Sequence, residues 1–320
     1  REEELRRLAH EGVALLAVMS ALARHAKGTG KPGPRENAAL RTMKSMIDKQ
    51  RLTPIAKALL VGPAHQREAA RQLVVIAGSV GAAALYQARE VTNEPSARPI
   101  FVSVLRDTGA AGRALLSHLL PQMEARDDSE ITLIQDLLRA APAHPNPALG
   151  EVVSKFLAHP KLRAAALVAL VPLWGDRARK PLVEALEHAD EPTRIVALRE
   201  LRRMRAVDDV VVTLIERFLT LRGAAGEDLR ALSAAALAEV APPLRARASQ
   251  LLSRTVEGKR GLVAMLRGND SGDESVAVME AMARALLVLD RVEGVRAIKS
   301  RLSRSDGLMK QRLAELLKAI

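Results

Sequence analysis

Five arginines stand within EPTRIVALRELRRMR, residues 191 to 205: Arg194, Arg199, Arg202, Arg203 and Arg205, with Glu200 as the one acid in the interior. Guanidinium groups at that density can grip phosphates or carboxylates through paired N–H donors. At 100° per residue, Ile195, Leu198, Leu201 and Met204 form one apolar stripe. Arg199, Arg202 and Arg203 gather on one flank and point to solvent. A second basic group, Arg296, Lys299, Arg301 and Arg304, falls on a helix near the C-terminus. These seven side chains are the candidate contacts to an anionic partner. A solvated basic face is the competing reading.

Other reactive types are sparse. There is no cysteine, so disulfides, thiolate metal sites and Cys nucleophiles are excluded. None of the seven histidines (His10, His25, His65, His118, His144, His159, His188) has another four residues away, and no His-Glu-x-x-His occurs, so no metal site is expected. The loop GTGKPG, residues 28–33, has a lysine among glycines but lacks the P-loop spacing and the Ser/Thr after Lys31. GSVG, residues 78–81, is not the Gly-x-Ser-x-Gly elbow. The acids of NDSGDE, residues 269–274, lack calcium-loop spacing, and Ser271 with Glu274 fits a capping box. No catalytic residue and no cofactor is expected.

Composition sets the frame. With 49 Lys and Arg against 37 Asp and Glu, the 320 residues carry a net charge of +12, which suits an acidic protein, nucleic acid or phospholipid. Arginine exceeds lysine and alanine abounds, as in a GC-rich genome, which raises arginine without any need for binding. Hydrophobic residues at 48% and charged ones at 27% describe a folded chain. Aromatics are only 2%, too few rings for a thick core, so thin helical layers closed by Ala, Leu and Val are favoured. No apolar run is long enough to span a bilayer, and a cytoplasmic setting is the expectation. The chain begins at Arg1, which suggests an excerpt of a longer polypeptide.

The elements that must position these residues read as helices. Gly, Pro, Asp and His-Pro punctuate the chain about every 12 to 20 residues, amphipathic segments lie between the marks, and no alternating strand pattern appears. HPKLRAAALVAL and DEPTRIVALREL align without a gap: Arg163, Ala166, Leu167 and Leu170 match Arg194, Ala197, Leu198 and Leu201. Looser echoes start at Arg67, Arg113, Arg230 and Lys310, whereas VAVMEAMARALL lacks the arginine. Neither helix of such a pair can bury its stripe alone, so neighbours must stack.

This pattern resembles the HEAT-repeat family, most clearly from Pro145 to Val240. The resemblance implies an all-α fold, an α-solenoid of stacked antiparallel helix pairs over residues 53–320. Residues 1–52 form a separate or divergent hairpin, roughly Glu3–His25 and Glu36–Arg51 around a basic loop. It also implies that Arg194 pairs with a turn acid, Asp190 or Glu191. The apolar last turn before Ile320 suggests further protein, or a partner, over that end. On this resemblance the expected function is a non-catalytic protein-binding scaffold or adaptor, of the kind used in bacterial division-site, polarity or motility assemblies. Its partner would be another protein, with an acidic surface, or a second copy. The alternative is a nucleic-acid-binding or DNA-repair solenoid. Some HEAT-like folds are alkyl-purine DNA glycosylases, and the pair Trp174 and Asp176 would stand for their aromatic cradle and catalytic acid. Trp174, four residues after Leu170, also fits a core position.

Overall fold

The computed structural model describes Pro34 and residues 49–62, 64–221, 226–258 and 275–319, all helix, turn or loop with no strand among them. The expected N-terminal helices, the GTGKPG loop and the Ser271–Glu274 box lie outside the described residues. The described chain divides into two compact units between Trp174 and Gly175. Residues 52 and 53, on either side of the expected boundary, both belong to the helix Lys49–Val61.

The first unit contains α1 (Lys49–Val61), α2 (Ala64–Ile76), α3 (Gly78–Glu90), α4 (Ala97–Asp107), α5 (Ala110–Leu119), α6 (Asp128–Ala140), α7 (Pro147–Ser154) and α8 (Pro160–Trp174). Helices α1, α3, α5 and α7 pack in one row and α2, α4, α6 and α8 in another. The second unit repeats the plan with α9 (Arg179–His188), α10 (Glu191–Arg203), α11 (Asp209–Leu219), α12 (Glu227–Ala238), α13 (Arg245–Glu257), α14 (Val276–Leu289), α15 (Arg291–Leu302) and α16 (Gly307–Lys318). Here α9, α11, α13 and α15 form one row and α10, α12, α14 and α16 the other. Each unit is thus an all-α solenoid of stacked antiparallel pairs, as the periodicity predicts.

The aligned positions explain the stacking. Ala166, Leu167 and Leu170 in α8, and Ala197, Leu198 and Leu201 in α10, are fully buried. Each leucine contributes about 1.5–3 kcal/mol by leaving water, and the alanines let neighbouring helices close. Ile195 and Met204, the other members of the predicted stripe, are half-buried.

The helix starts are built by acids. Asp127, Asp190, Asp208 and Asp290 each accept a hydrogen bond from the backbone N–H three residues on, and Asn146 accepts from Ala148. Each such cap is worth about 1 kcal/mol. The recurring arginines build the ends. Arg67 donates to the Gly62 carbonyl at 2.8 Å, Arg163 to Leu157 at 2.8 Å, Arg194 to Glu187 at 3.4 Å and Arg230 to Leu221 at 2.9 Å. In each case the side chain reaches back from an early turn of one helix to the closing carbonyls of the preceding element. Those carbonyls lack helical partners and carry the negative end of the dipole, so a cation there both bonds and neutralises. Arg194, expected beside a turn acid, therefore contacts the Glu187 carbonyl and lies over the Phe218 ring, 5.6 Å from its centroid.

Candidate functional site

Of the seven predicted anion contacts, four pair or bond within the second unit, and a fifth, Arg301, packs there with its buried Nε unsatisfied. Arg202 on α10 forms a two-pronged pair with Glu239, just past α12, and this bond holds the Glu239 carboxyl below its ordinary pKa. Arg203 pairs with Glu200 at 2.8 Å on its own helix. Arg296 pairs with Glu293 and lies 3.8 Å from Glu257. Arg304 donates to the Glu257 carbonyl at 2.8 Å, at the end of α13. Arg301 sits over Gly258, where a Cβ would meet its guanidinium at 2.8 Å. Arg199 and Lys299 are exposed and make no ion pair or side-chain hydrogen bond among the described residues. The two clusters occupy different rows, α10 in one and α15 in the other, so they are not one patch.

Several basic side chains elsewhere staple successive helices of a row. Arg71 on α2 binds Asp107 on α4, Lys161 on α8 binds Asp128 on α6, and Arg247 on α13 reaches Asp209 and Thr213 on α11. The deepest staple surrounds Asp136, which is fully buried on α6. Arg89 binds one of its oxygens at 2.8 and 3.0 Å, Arg98 the other at 3.0 Å, and Arg139 stands 3.6 Å away. A buried carboxylate needs such full pairing, because removing its partners leaves a desolvated charge.

After this accounting, four exposed cations without a side-chain partner among the described residues remain along one row of the second unit: Arg245 in the first turn of α13, and three that fall near the other end of their helices. Arg217 on α11, Arg254 on α13 and Lys299 on α15 are exposed, and none has a side-chain partner among the described residues. Each sits in the C-terminal half of its helix, and the three helices pack side by side. Row neighbours lie about 8–10 Å apart, so the charges recur at roughly that interval. Sequence reading identified Lys299 and missed Arg217 and Arg254, because they become a series only once α11, α13 and α15 share a row.

The first unit holds a site of another kind. A cavity of about 310 Å³ opens between the turn after α5 and the turn before α8. Its apolar lining includes Leu120, Met123, Phe156 and Pro160, and its polar lining is Glu124, Lys155 and His159. The loop at its edge is braced: Glu130 accepts from the Glu124 and Arg126 amides at 3.3 and 2.8 Å, and Glu124 pairs with Arg126 at 3.0 Å. Between them Ala125 adopts a left-handed backbone, φ 57°. That conformation strains any residue with a Cβ, and such strain gathers at binding sites. Lys155 is exposed with no side-chain partner among the described residues. His159 has a buried Nδ1 that makes no hydrogen bond, which costs about 1–3 kcal/mol. Nothing in the sequence marked this cavity.

The remaining histidines and Trp174 are explained by packing or solvent. His144 is buried on the first unit's core, bonded to the Leu105 carbonyl at 3.1 Å, and burial pushes its pKa below the ordinary 6.5. His118 and His188 are exposed. His10, His25 and the His65 side chain lie outside the described residues. The Trp174 ring rests on Gly150 of α7, where a Cβ would come within 2.2 Å of its indole nitrogen, so only glycine permits that contact. Asp176 is exposed.

No protein-family model matches this chain, and no curated protein matches it. Among solved structures it is similar to human deoxyhypusine hydroxylase in complex with glycerol, with a TM-score of 0.32 and 16% identity over 87% of this chain and 98% of that one. Two expectations are corrected at this point. The similar structure is that of an enzyme, so neither the non-catalytic scaffold or adaptor nor the statement that the chain is no enzyme stands. The expectation rested on the fold resemblance and on the lack of recognisable catalytic motifs. Lack of cysteine removes particular nucleophiles, and helical layers can still carry reactive groups on their surfaces. A TM-score this low assigns the present chain no reaction. The comparison likewise gives no support to a bacterial source, a cell-division role or DNA repair. No helix among the described residues is long and apolar enough to cross a membrane.

Proposed function

We propose that the second unit binds an acidic protein surface along the row α11, α13 and α15. The observation that supports this is the uncompensated series Arg217, Arg254 and Lys299, left over when most neighbouring cations are consumed by internal pairs. Arg199, on the other row, is a further free guanidinium that a partner wrapping the unit would meet. Cations spaced by the helix packing distance match carboxylates on a folded partner. The scarcity of rings, 2% of residues, disfavours the base stacking by which single-stranded nucleic acid is held. We also assign the repeats to the HEAT family, on the strength of the arginine that recurs at Arg163 and Arg194 and closes the preceding element in both.

The test compares a poly-glutamate peptide and duplex DNA as probes at matched salt. Wild type should bind poly-glutamate with an affinity that falls as salt rises, since exposed charges are screened within about 8–10 Å. Changing Arg217, Arg254 and Lys299 together to glutamine should weaken that binding by about tenfold or more. Equal binding by the triple variant, or a stronger grip on DNA than on poly-glutamate, would overturn the reading.

A further inference from the structure

The geometry points to a second, separate site in the first unit: the cavity bounded by Met123, Lys155, Phe156 and His159 binds a small organic monocarboxylate with an apolar body. It does not depend on the acidic-partner reading, which concerns the other unit.

Three features of the cavity select this chemistry. The floor is apolar, with Leu120, Met123, Phe156 and Pro160 available to cover a short hydrocarbon or ring. A volume of about 310 Å³ is at the small end of ligand-sized pockets. The polar rim is cationic on one side. Lys155 presents an ammonium with no side-chain partner among the described residues. His159 lines the cavity as well and adds an imidazole ring beside the Lys155 segment.

The same wall is the start of α8, a 15-residue helix with no acid in its first turn, so its dipole favours an anion and nothing on the helix itself cancels it. His159 precedes that turn, with its carbonyl already taken by the Leu162 and Arg163 amides at 3.0 and 2.9 Å. Its ring is therefore the part left to meet a ligand.

The opposite rim sets the charge of the ligand. Glu124 lines the cavity, and its carboxylate is held by Arg126 at 3.0 Å. One free cation and one carboxylate among the lining residues suit a ligand of single negative charge better than a dianion such as phosphate. The left-handed Ala125, anchored on both sides by Glu130, keeps that rim from collapsing into the space. The ligand would place its carboxylate between Lys155 and His159 and its apolar body against Met123 and Phe156.

The test titrates the full chain with benzoate, acetate and inorganic phosphate, following the ring signals of the histidines by NMR. Benzoate should bind saturably with a Kd of about 1 mM or tighter, with His159 showing the largest ring shifts. Acetate, lacking the apolar body, and phosphate, with its second charge, should bind about tenfold more weakly. Lys155→Gln, an exposed substitution that leaves the fold intact, should cost about tenfold in benzoate affinity. His159→Asn should weaken it as well, and Lys57→Gln on α1 should change nothing. No saturable benzoate binding, phosphate binding as tight as benzoate, or full affinity in Lys155→Gln would each overturn the assignment. Should His159→Asn fail to fold, Lys155→Gln and the His159 shifts still decide.

Discussion

At the scale of single residues, the arginines of this chain are mostly stitches. Arg163 and Arg194 were legible as repeat markers because an identical spacing surrounds them, but their partners were not. The resemblance suggested a turn acid for Arg194 and was silent on the carbonyls of Leu157 and Glu187 that the two side chains reach. A backbone carbonyl carries no sequence signature, so only the fold could reveal it. The same holds for His144, which the structure buries against the Leu105 carbonyl. Burial lowers its folded pKa beneath the ordinary 6.5. The sign follows directly: the unfolded chain takes up the proton more readily, so stability is complete above about pH 6.5 and is lost as the pH falls through and below that value. Urea midpoints measured between about pH 7.5 and 5.5 should therefore drop in wild type and drop less in His144→Gln, whose neutral amide has no proton to take up. Identical pH profiles in the two proteins would remove His144 from the account.

At the scale of elements, existence and type were readable and joints were not. Regular apolar spacing between Gly, Pro and Asp marks gave helices, and Asp190 and Asp290 stand where capping chemistry demands an acceptor. The cavity beside α8 escaped because its walls come from turns thirty or more positions apart in sequence, at Leu120–Ala125 and Lys155–Pro160. Ala125 gave no warning either, since alanine rarely takes a left-handed φ and only the anchoring by Glu130 imposes it. Asp290 offers the sharpest test at this level. It is the single residue between α14 and α15, closing one and capping the other through the Glu293 amide at 2.9 Å. Asp290→Ala should cost about 1 kcal/mol in denaturant unfolding, with Asp290→Asn retaining most of it. Amide exchange should quicken first in the opening turn of α15, where the donor is orphaned. An alanine variant as stable as wild type would mean that other contacts hold this corner.

At the scale of the molecule, the periodic stripes announced stacked helix pairs, but the division between Trp174 and Gly175 was hidden inside what looked like one continuous register. The one local sign is Gly175 itself, whose positive φ of 57° ends α8 as glycine commonly ends a helix. The net charge of +12 was legible too, yet its meaning depended on knowing which cations the stack consumes. Stacking also dictates how damage should spread. In the second unit α12 packs on α10 and α14 within its row, and on α11 and α13 across it, whereas α16, among the described residues, packs mainly on α14 and α15. Leu237 is fully buried on α12, so Leu237→Ala removes side-chain contacts worth about 2–5 kcal/mol. In a solenoid each repeat is stabilised by its immediate neighbours, so the loss should be local and graded. Hydrogen exchange should show reduced protection in α10, α12 and α14 and a smaller change in α16. A uniform loss across α9 to α16 would instead mark the unit as one all-or-none globule, and stacking would no longer explain where its stability resides.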